Sequence, residues 1–485
     1  MKIQLEQLDL MQPWPRLELR DGYHSMSVLV GIGQIPIGDV MARPVRMRVA
    51  AHERLARRIA NKLAYNIIRA LIRDGMSAGS DALMSHPLVQ RFARLSGNHW
   101  ERARDYVRDH LLLETGLPEP FVSWAREAQS ATPFETPAIT VAVCTRDRAE
   151  QLEGCIKHLQ ELDYPYYEIL IVDNSSTDGP TRAVAEKLGV RYVREKVAGL
   201  SRARNAALDH SRTRWVAFTD DDCRPEKSWL KELVRPIQDS NCGCVTGLVL
   251  PAQLENAAEI TFEIYGGLGR GFVPRFFDRG YLTASRFRPG QTWRIGAGAN
   301  MLLDRDLVRR LGNYDIDMGP GGVGGCGEDT LVFYQILNSW RTIHYNPRAI
   351  VHHYHRSSDA ALRKHIKSYA IGHAAYHTRV LFSYRDHRSL LQLIYYLPTW
   401  FARNLKRGIM GKTKYPFSLV FVEAKGTLLG PIQYSFAKLR RVASKWLAVR
   451  AKRPRPVRAG APDFIELLPE PHYVAVPHQK RARVA

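Results

Sequence analysis

At 485 residues with 45% hydrophobic side chains, the chain is too long for one ordinary domain, short for more than three or four, and able to bury a sizeable core. Its formal net charge of +22 is placed unevenly: from Arg363 onward 24 Lys and Arg face 5 Asp and Glu, giving +19, so the preceding part is nearly balanced and an anionic partner is expected for the C-terminal quarter alone. The six cysteines show no paired CxxC spacing, which removes the usual zinc and redox patterns and makes a reducing cytoplasm the economical reading.

The N-terminal stretch MKIQLEQLDLMQPWPRLELR mixes acids into its apolar residues and has no signal-peptide pattern. Residues 26–30 and 34–37 read as a hairpin around Gly31 and Gly33, followed by helical patterns over about 52–72 and 101–113. Together these predict a small α+β accessory domain over 1–130, with a polar, Pro-bearing linker at 125–137.

From residue 138 strands and helices alternate: a strand at 139–144, a helix over 150–162, a strand at 168–172, a helix over 180–188, a strand at 191–193, a helix over 200–210 and a strand at 215–219. Short Val/Ile-rich runs alternating with helices predict an α/β domain whose helices cover both faces of a largely parallel sheet. Neither GxGxxG after the first strand nor GxxxxGK[ST] is present, which weighs against dinucleotide oxidoreductases and P-loop enzymes.

Ligands bind at the carboxyl ends of strands in such sheets, and four segments fall there. The first strand runs into Thr145-Arg146-Asp147-Arg148. The second ends in Asp173-Asn174-Ser175-Ser176, where Asp173 could accept a hydrogen bond from a base or ribose. A helix opens with Ser201-Arg202-Ala203-Arg204-Asn205, and its N-terminus and arginines would favour a diphosphate. The fourth is Asp220-Asp221-Asp222, three carboxylates that repel unless a cation sits among them; hard ions such as Mg²⁺ or Mn²⁺ take such oxygens and commonly bridge to phosphate.

In this order and spacing, VAVCTRDR, ILIVDNSSTDG, AGLSRARNAAL and VAFTDDDCRPEKSWL resemble the nucleotide-binding half of glycosyltransferase family 2. The likeness continues through Gly296–Met301, the loop Gly321–Gly327 leading into Glu328-Asp329, and AIVHH at 349–353, and covers roughly 137–376. It implies a GT-A fold, a Rossmann-like mixed sheet with helices on both faces, and inverting transfer from a nucleotide-diphosphate sugar to a saccharide or lipid-linked hydroxyl. By position, Thr145, Arg146, Asp173, Arg204 and Asn205 would line the nucleotide pocket. Asp220 and Asp222 would hold the divalent metal, with Asp221 as an alternative contact to ribose or metal. Asp329 would be the general base with Glu328 beside it, and His352 would complete the metal site, although His353 and His355 leave the register open. Chemically this is coherent, because a sugar hydroxyl needs a carboxylate to take its proton as it attacks.

After the catalytic domain the sequence predicts a basic amphipathic helical region over 377–449 and a Pro/Arg-rich tail over 450–485. The stretch LLQLIYYLPTWFARNLKR has the aromatic and basic composition of an interfacial segment, with Tyr395, Tyr396, Trp400 and Phe401 as candidates for insertion; it is too short to cross a bilayer. The expected protein is therefore a cytoplasmic enzyme peripheral on the inner face of the plasma membrane. A metal-dependent nucleotidyl- or phosphotransferase and a basic nucleic-acid-binding protein are the alternatives; the latter lacks a recognisable binding motif, so no nucleic acid is expected.

Overall fold

The computed structural model describes residues 2–42, 52–73, 86–96, 102, 136–177, 179–412 and 415–451. The helix expected over 101–113 (residue 102 apart), the linker up to residue 135 and the tail from residue 452 lie outside the described residues.

The N-terminal unit is a three-stranded sheet in the order β1-β2-β3, built from β1 (Ile3–Asp9), β2 (Ser25–Ile32) and β3 (Ile35–Ala42). The β2–β3 hairpin is the expected one, while β1 pairs parallel to β2. Helices α1 (His52–Arg73) and α2 (Pro87–Ser96) complete it, and Val28, Val30 and Ile32 share a core with Ile59, Ile67 and Phe92. The unit is tied to the larger domain by Ile3 N donating to Leu254 O at 2.8 Å and Tyr23 Oη donating to Glu255 at 2.6 Å.

The main domain follows the predicted alternation closely. Its first half runs β4 (Ile139–Thr145), α3 (Ala149–Leu159), β5 (Tyr167–Asp173), α4 (Pro180–Lys187), β6 (Arg191–Arg194), α5 (Leu200–His210) and β7 (Trp215–Asp220). It continues with β8 (Cys223–Pro225), α6 (Trp229–Val234), β9 (Cys242–Pro251), α7 (Ala257–Gly266), β10 (Arg275–Phe277), α8 (Arg279–Thr283), β11 (Asn300–Asp304), α9 (Arg305–Arg310), α10 (Glu328–Asn338) and β12 (Thr342–His353). The sheet order is β10-β12-β9-β11-β7-β4-β5-β6, with β8 pairing β12. Strands β7, β4, β5 and β6 are mutually parallel, whereas β11 runs antiparallel to both β7 and β9, so the sheet is mixed. A mixed sheet covered by helices on both faces is the architecture the sequence predicts.

Both faces of β4 are buried, as its unbroken apolar run requires. Alternate residues enter different cores: Ala142 and Cys144 join the helices α5 and α10, and Ile139, Val141 and Val143 join α3 and α6. All six cysteines are free thiols.

The C-terminal helices are α11 (Asp359–Tyr384), α12 (His387–Leu391), α13 (Leu397–Ile409) and α14 (Phe417–Ala451), with one π-helical turn at Gln392–Tyr396. Among the described residues no helix is long and apolar enough to cross a membrane. The boundary expected at 376/377 falls inside α11, whose Tyr376 and Val380 are buried in the main core together with Tyr434 of α14. Packing is close where α11 meets the loop before α10: a Cβ on Gly372 would sit 1.3 Å from the carbonyl oxygen of Cys326. Gly372→Ala therefore has to push a helix backbone away from a loop backbone. A stability loss on the order of 1–3 kcal/mol is expected in urea unfolding, the range seen for overpacked cores; an unchanged midpoint would show that this contact yields freely.

Candidate active site

Parallel pairing sets Cys144 opposite Asp220 and Thr145 opposite Asp173, so the ends of β4, β5 and β7 converge. A cavity of about 1050 Å³ opens there. Thr145, Arg146, Arg204, Asp220, Asp221, Asp222, Glu328 and Asp329, read as site residues from the sequence, all line it.

The aspartates are held by an arginine the sequence reading did not single out. Arg148 Nη1 lies 2.8 Å from Asp221 Oδ1 and 2.8 Å from Asp222 Oδ2, and Thr145 Oγ1 donates to Asp221 Oδ2 at 2.7 Å. Arg356 approaches Asp222 at 3.3 Å. Burial pushes Asp220 up to about 7, with Arg204 opposing and its aspartate neighbours adding to the rise, although its side chain keeps 34% of its surface open. Asp221 and Asp222 are raised for the same first reason. Arg148, Arg356 and Arg204, the last shared with Glu328, set three cations against four carboxylates, an arrangement that a divalent ion would complete.

Glu328 and Asp329 open α10. Glu328 is buried and accepts from Arg204 Nη1 at 2.6 Å, while Arg204 Nη2 stands 3.8 Å from Asp220. Burial raises the Glu328 carboxyl and Arg204 opposes that rise. Half-buried Asp329 accepts from Gly298 N at 2.8 Å and Thr330 N at 2.7 Å, which fixes its carboxylate at the cavity wall. Glycine is needed at 298, because a Cβ there would lie 2.5 Å from the Arg204 guanidinium.

Three expected site residues are placed elsewhere. Asp173 is fully buried, accepting from Ser175 N and Tyr192 Oη, and it is Asn174 that reaches the cavity. Asn205 exchanges hydrogen bonds with the backbone of Tyr314 and anchors that turn. His352 projects from the opposite face of β12 to Glu226, 3.2 Å away, so it does not approach the aspartates; His353 does, with Nε2 3.3 Å from Asp222 Oδ1. A register irregularity between Asn346 and Ile350 breaks the alternation along β12 and hides this phase from sequence counting.

His353 is suited to offer a lone pair. Burial above all lowers its pKa to about 3. Its Nδ1 lies 2.9 Å from His355 Nδ1, and His355 Nε2 lies 2.9 Å from Glu263. If neutral His355 donates to Glu263, its Nδ1 must accept from His353, which leaves His353 Nε2 unprotonated towards Asp222. Asp222, Cys223 and His353 bring ligand atoms within 4.8 Å of one another. The Cys223 thiol, raised well above its usual range by burial, is a poor partner for a hard cation, leaving Asp222 and His353 as the fitting pair.

Residues 140–312 match the sequence model of Glycosyl transferase family 2. Glycosyltransferase AglE of Haloferax volcanii is 31% identical over 121 residues, covering 23% of this chain and 40% of the relative. The succinoglycan biosynthesis protein ExoM of Rhizobium meliloti is 29% identical over 232 residues, covering 45% and 68%. Among solved structures, the mannosyltransferase PcManGT from Pyrobaculum calidifontis in complex with GDP-Man and Mn²⁺ matches at TM-score 0.45 and 17% identity, covering 68% of this chain and 98% of that one.

The Arg204–Glu328 pair gives a direct test of the site's electrostatics. Arg204→Met strands a buried carboxylate and is expected to cost about 3–5 kcal/mol, whereas the double variant Arg204→Met/Glu328→Leu should recover much of the loss. Denaturant unfolding of both proteins measures it; equal stability of single and double variants would show that the carboxylate is compensated otherwise.

Proposed function

We propose that the chain, whose residues 140–312 match Glycosyl transferase family 2, moves a sugar from a nucleoside-diphosphate donor to a hydroxyl acceptor by a single inverting displacement. The observation that carries this reading is the convergence of the aspartate triplet and the Glu328-Asp329 pair on one cavity. In it, Asp222 and His353, with Asp220 close by, would hold a Mg²⁺ or Mn²⁺ ion. Such an ion neutralises charge developing on a departing nucleoside diphosphate.

The chain's own residues do the rest. Thr145 and Arg148 fix Asp221 and Asp222. Arg204, pinned by Glu328, presents positive charge beside Asp220. Asp329, aimed by Gly298 and Thr330, takes the proton of the acceptor hydroxyl as it attacks. Arg146, exposed on the rim, is placed to meet the nucleotide.

Asp329→Asn keeps the shape and removes the basicity. It should leave Mn²⁺-dependent thermal stabilisation by the nucleotide sugar intact and lower turnover by a factor on the order of 10² to 10⁴. The coupled product assay reads nucleoside diphosphate. Release of pyrophosphate instead would point to nucleotidyl transfer, and undiminished turnover would move the base to another group.

We also propose that the C-terminal helices rest on an anionic membrane face on the cytoplasmic side, consistent with free thiols and the basic tail. On α14 Phe421, Leu428, Ile432, Phe436 and Leu439 recur at helical spacing and all are exposed, Leu428 at 72%. On the neighbouring segment Ile394, Tyr395 and Ile409 are exposed, whereas Tyr396 and Phe401 line the cavity and Trp400 lines it while keeping 38% of its surface open, so we assign the insertion to the outward set. In vesicle flotation, Leu428→Glu/Ile432→Glu should lose binding to anionic vesicles at high salt and retain part of it at low salt, where the basic residues still act. Full-length protein that ignores anionic vesicles at low salt would end this reading.

A further inference from the structure

The cavity is larger than its aspartate end, and its second half carries a different charge. Its lining also includes Arg270, Arg288 and Arg294 with Trp293, Tyr396 and Trp400, against one further carboxylate, Glu423. Resting on the transferase reading above, we propose that Arg270, Arg288 and Arg294 form an acceptor subsite that binds an anionic group, a phosphate or a carboxylate, carried by the acceptor.

The two groups of arginines differ in how they are balanced. Arg148, Arg204 and Arg356, on the aspartate side, each pair with a carboxylate. Among the described residues, none of Arg270, Arg288 and Arg294 forms a salt bridge. Arg270 is the informative one. Its Nη1 donates to Gly267 O at 2.9 Å and Gly269 O at 3.2 Å, which fixes the side chain, while its Nε is buried with no hydrogen-bond partner. The residue is half-buried, and a cation whose buried Nε has neither a partner nor a counter-charge is costly unless something supplies one.

Position decides which ligand that is. Burial pulls the Arg270 pKa down, Tyr369 and Asp329 push it up and Arg294 pulls it down again, so Arg270 lies within electrostatic reach of both the base and a second arginine. The acceptor hydroxyl must come to Asp329, and an anionic substituent on the same acceptor then falls among these guanidiniums. Arg288 lies over the ring of Tyr396 at 4.9 Å, which holds one planar cation on an aromatic wall facing the same space. The donor diphosphate is served at the other end, where the aspartates and their cation would take it. Arginine suits this role because its planar fork meets phosphate and carboxylate oxygens two at a time.

The test uses full-length protein in EDTA, so that no cation draws phosphate to the aspartates, and titrates farnesyl diphosphate and trigalacturonate separately by calorimetry. At least one probe should bind. Arg294→Ala and Arg288→Ala, both changes at exposed side chains, should each weaken that binding by on the order of tenfold or more, the loss of one charged contact, and Arg294→Lys should recover part of it. Asp222→Asn should leave it unchanged. Binding of the diphosphate alone assigns a phosphorylated lipid, binding of trigalacturonate alone assigns an acidic sugar, and binding of both supports the shared chemistry. Failure of both probes, or equal binding by the alanine variants, overturns the subsite. A separate thermal-shift series with nucleotide sugars and Mn²⁺ keeps the two readings apart. Arg294→Ala should retain donor stabilisation, and its loss would place the arginine in the donor half and overturn the proposal. Wild-type protein stabilised by no donor would instead count against the transferase reading itself.

Discussion

Crowding of buried carboxylates at one end of the sheet is the constraint to which the rest of the main domain is fitted. Asp220, Asp221, Asp222 and Glu328 are brought close by strand pairing and by the entry into α10, and burial raises the carboxyl of each. Such a cluster can persist only if cations are built in around it. Arg148 bridges two of the aspartates, and Arg204 reaches from α5 to bind Glu328 and approach Asp220. The close packing of Gly298 on Arg204 follows from that, since the guanidinium lies against the turn that leads into β11 and leaves no room there for a Cβ. Compensation stays incomplete, and that shortfall is what favours the proposed cation site over a self-contained ion-pair network.

The C-terminal helices are part of this arrangement and not an appendage. Asp315, at the head of the loop that ends in Glu328, accepts from Tyr434 Oη at 2.8 Å and Lys438 Nζ at 3.0 Å; burial alone would raise its carboxyl, but Lys438 and Tyr434 hold it below its ordinary value. Asp317 pairs with Lys438 and Arg441. The same helix that shows an apolar stripe outward therefore grips the catalytic loop inward. A surface that settles on the stripe bears directly on an element that positions Glu328 and Asp329.

How much of this could be read in the sequence depended on whether local pattern or tertiary register decided it. The βα alternation from Ile139 to Asp220 was legible almost to the residue, because strands buried on both faces and amphipathic helices leave opposite patterns. So was the gathering of Thr145, Arg204, the aspartates and Asp329. Arg148 carries no role in the sequence because its context there is only a turn after a strand; the role comes from the fold, which sets it against Asp221 and Asp222. His352 and His353 could not be told apart across an irregular strand, and Asp173 looked available because the sequence does not show Tyr192 pairing beside it. The aromatic run at 395–401 was read as a single face, but a helix has two sides, and the site uses one of them.

Charge along the cavity gives the site a direction. At one end a surplus of carboxylate favours a cation and the diphosphate it would carry; at the other a surplus of guanidinium favours an anion. Asp329 stands at the boundary, held by two backbone N–H groups. On the proposed reading, an acceptor proton taken there would pass to a carboxylate with acids on one side and arginines on the other, an asymmetry that would keep two ligands of unlike charge from exchanging places. The polarity that would align the proposed substrates is thus the same polarity that the fold had to manage to bury its acids at all.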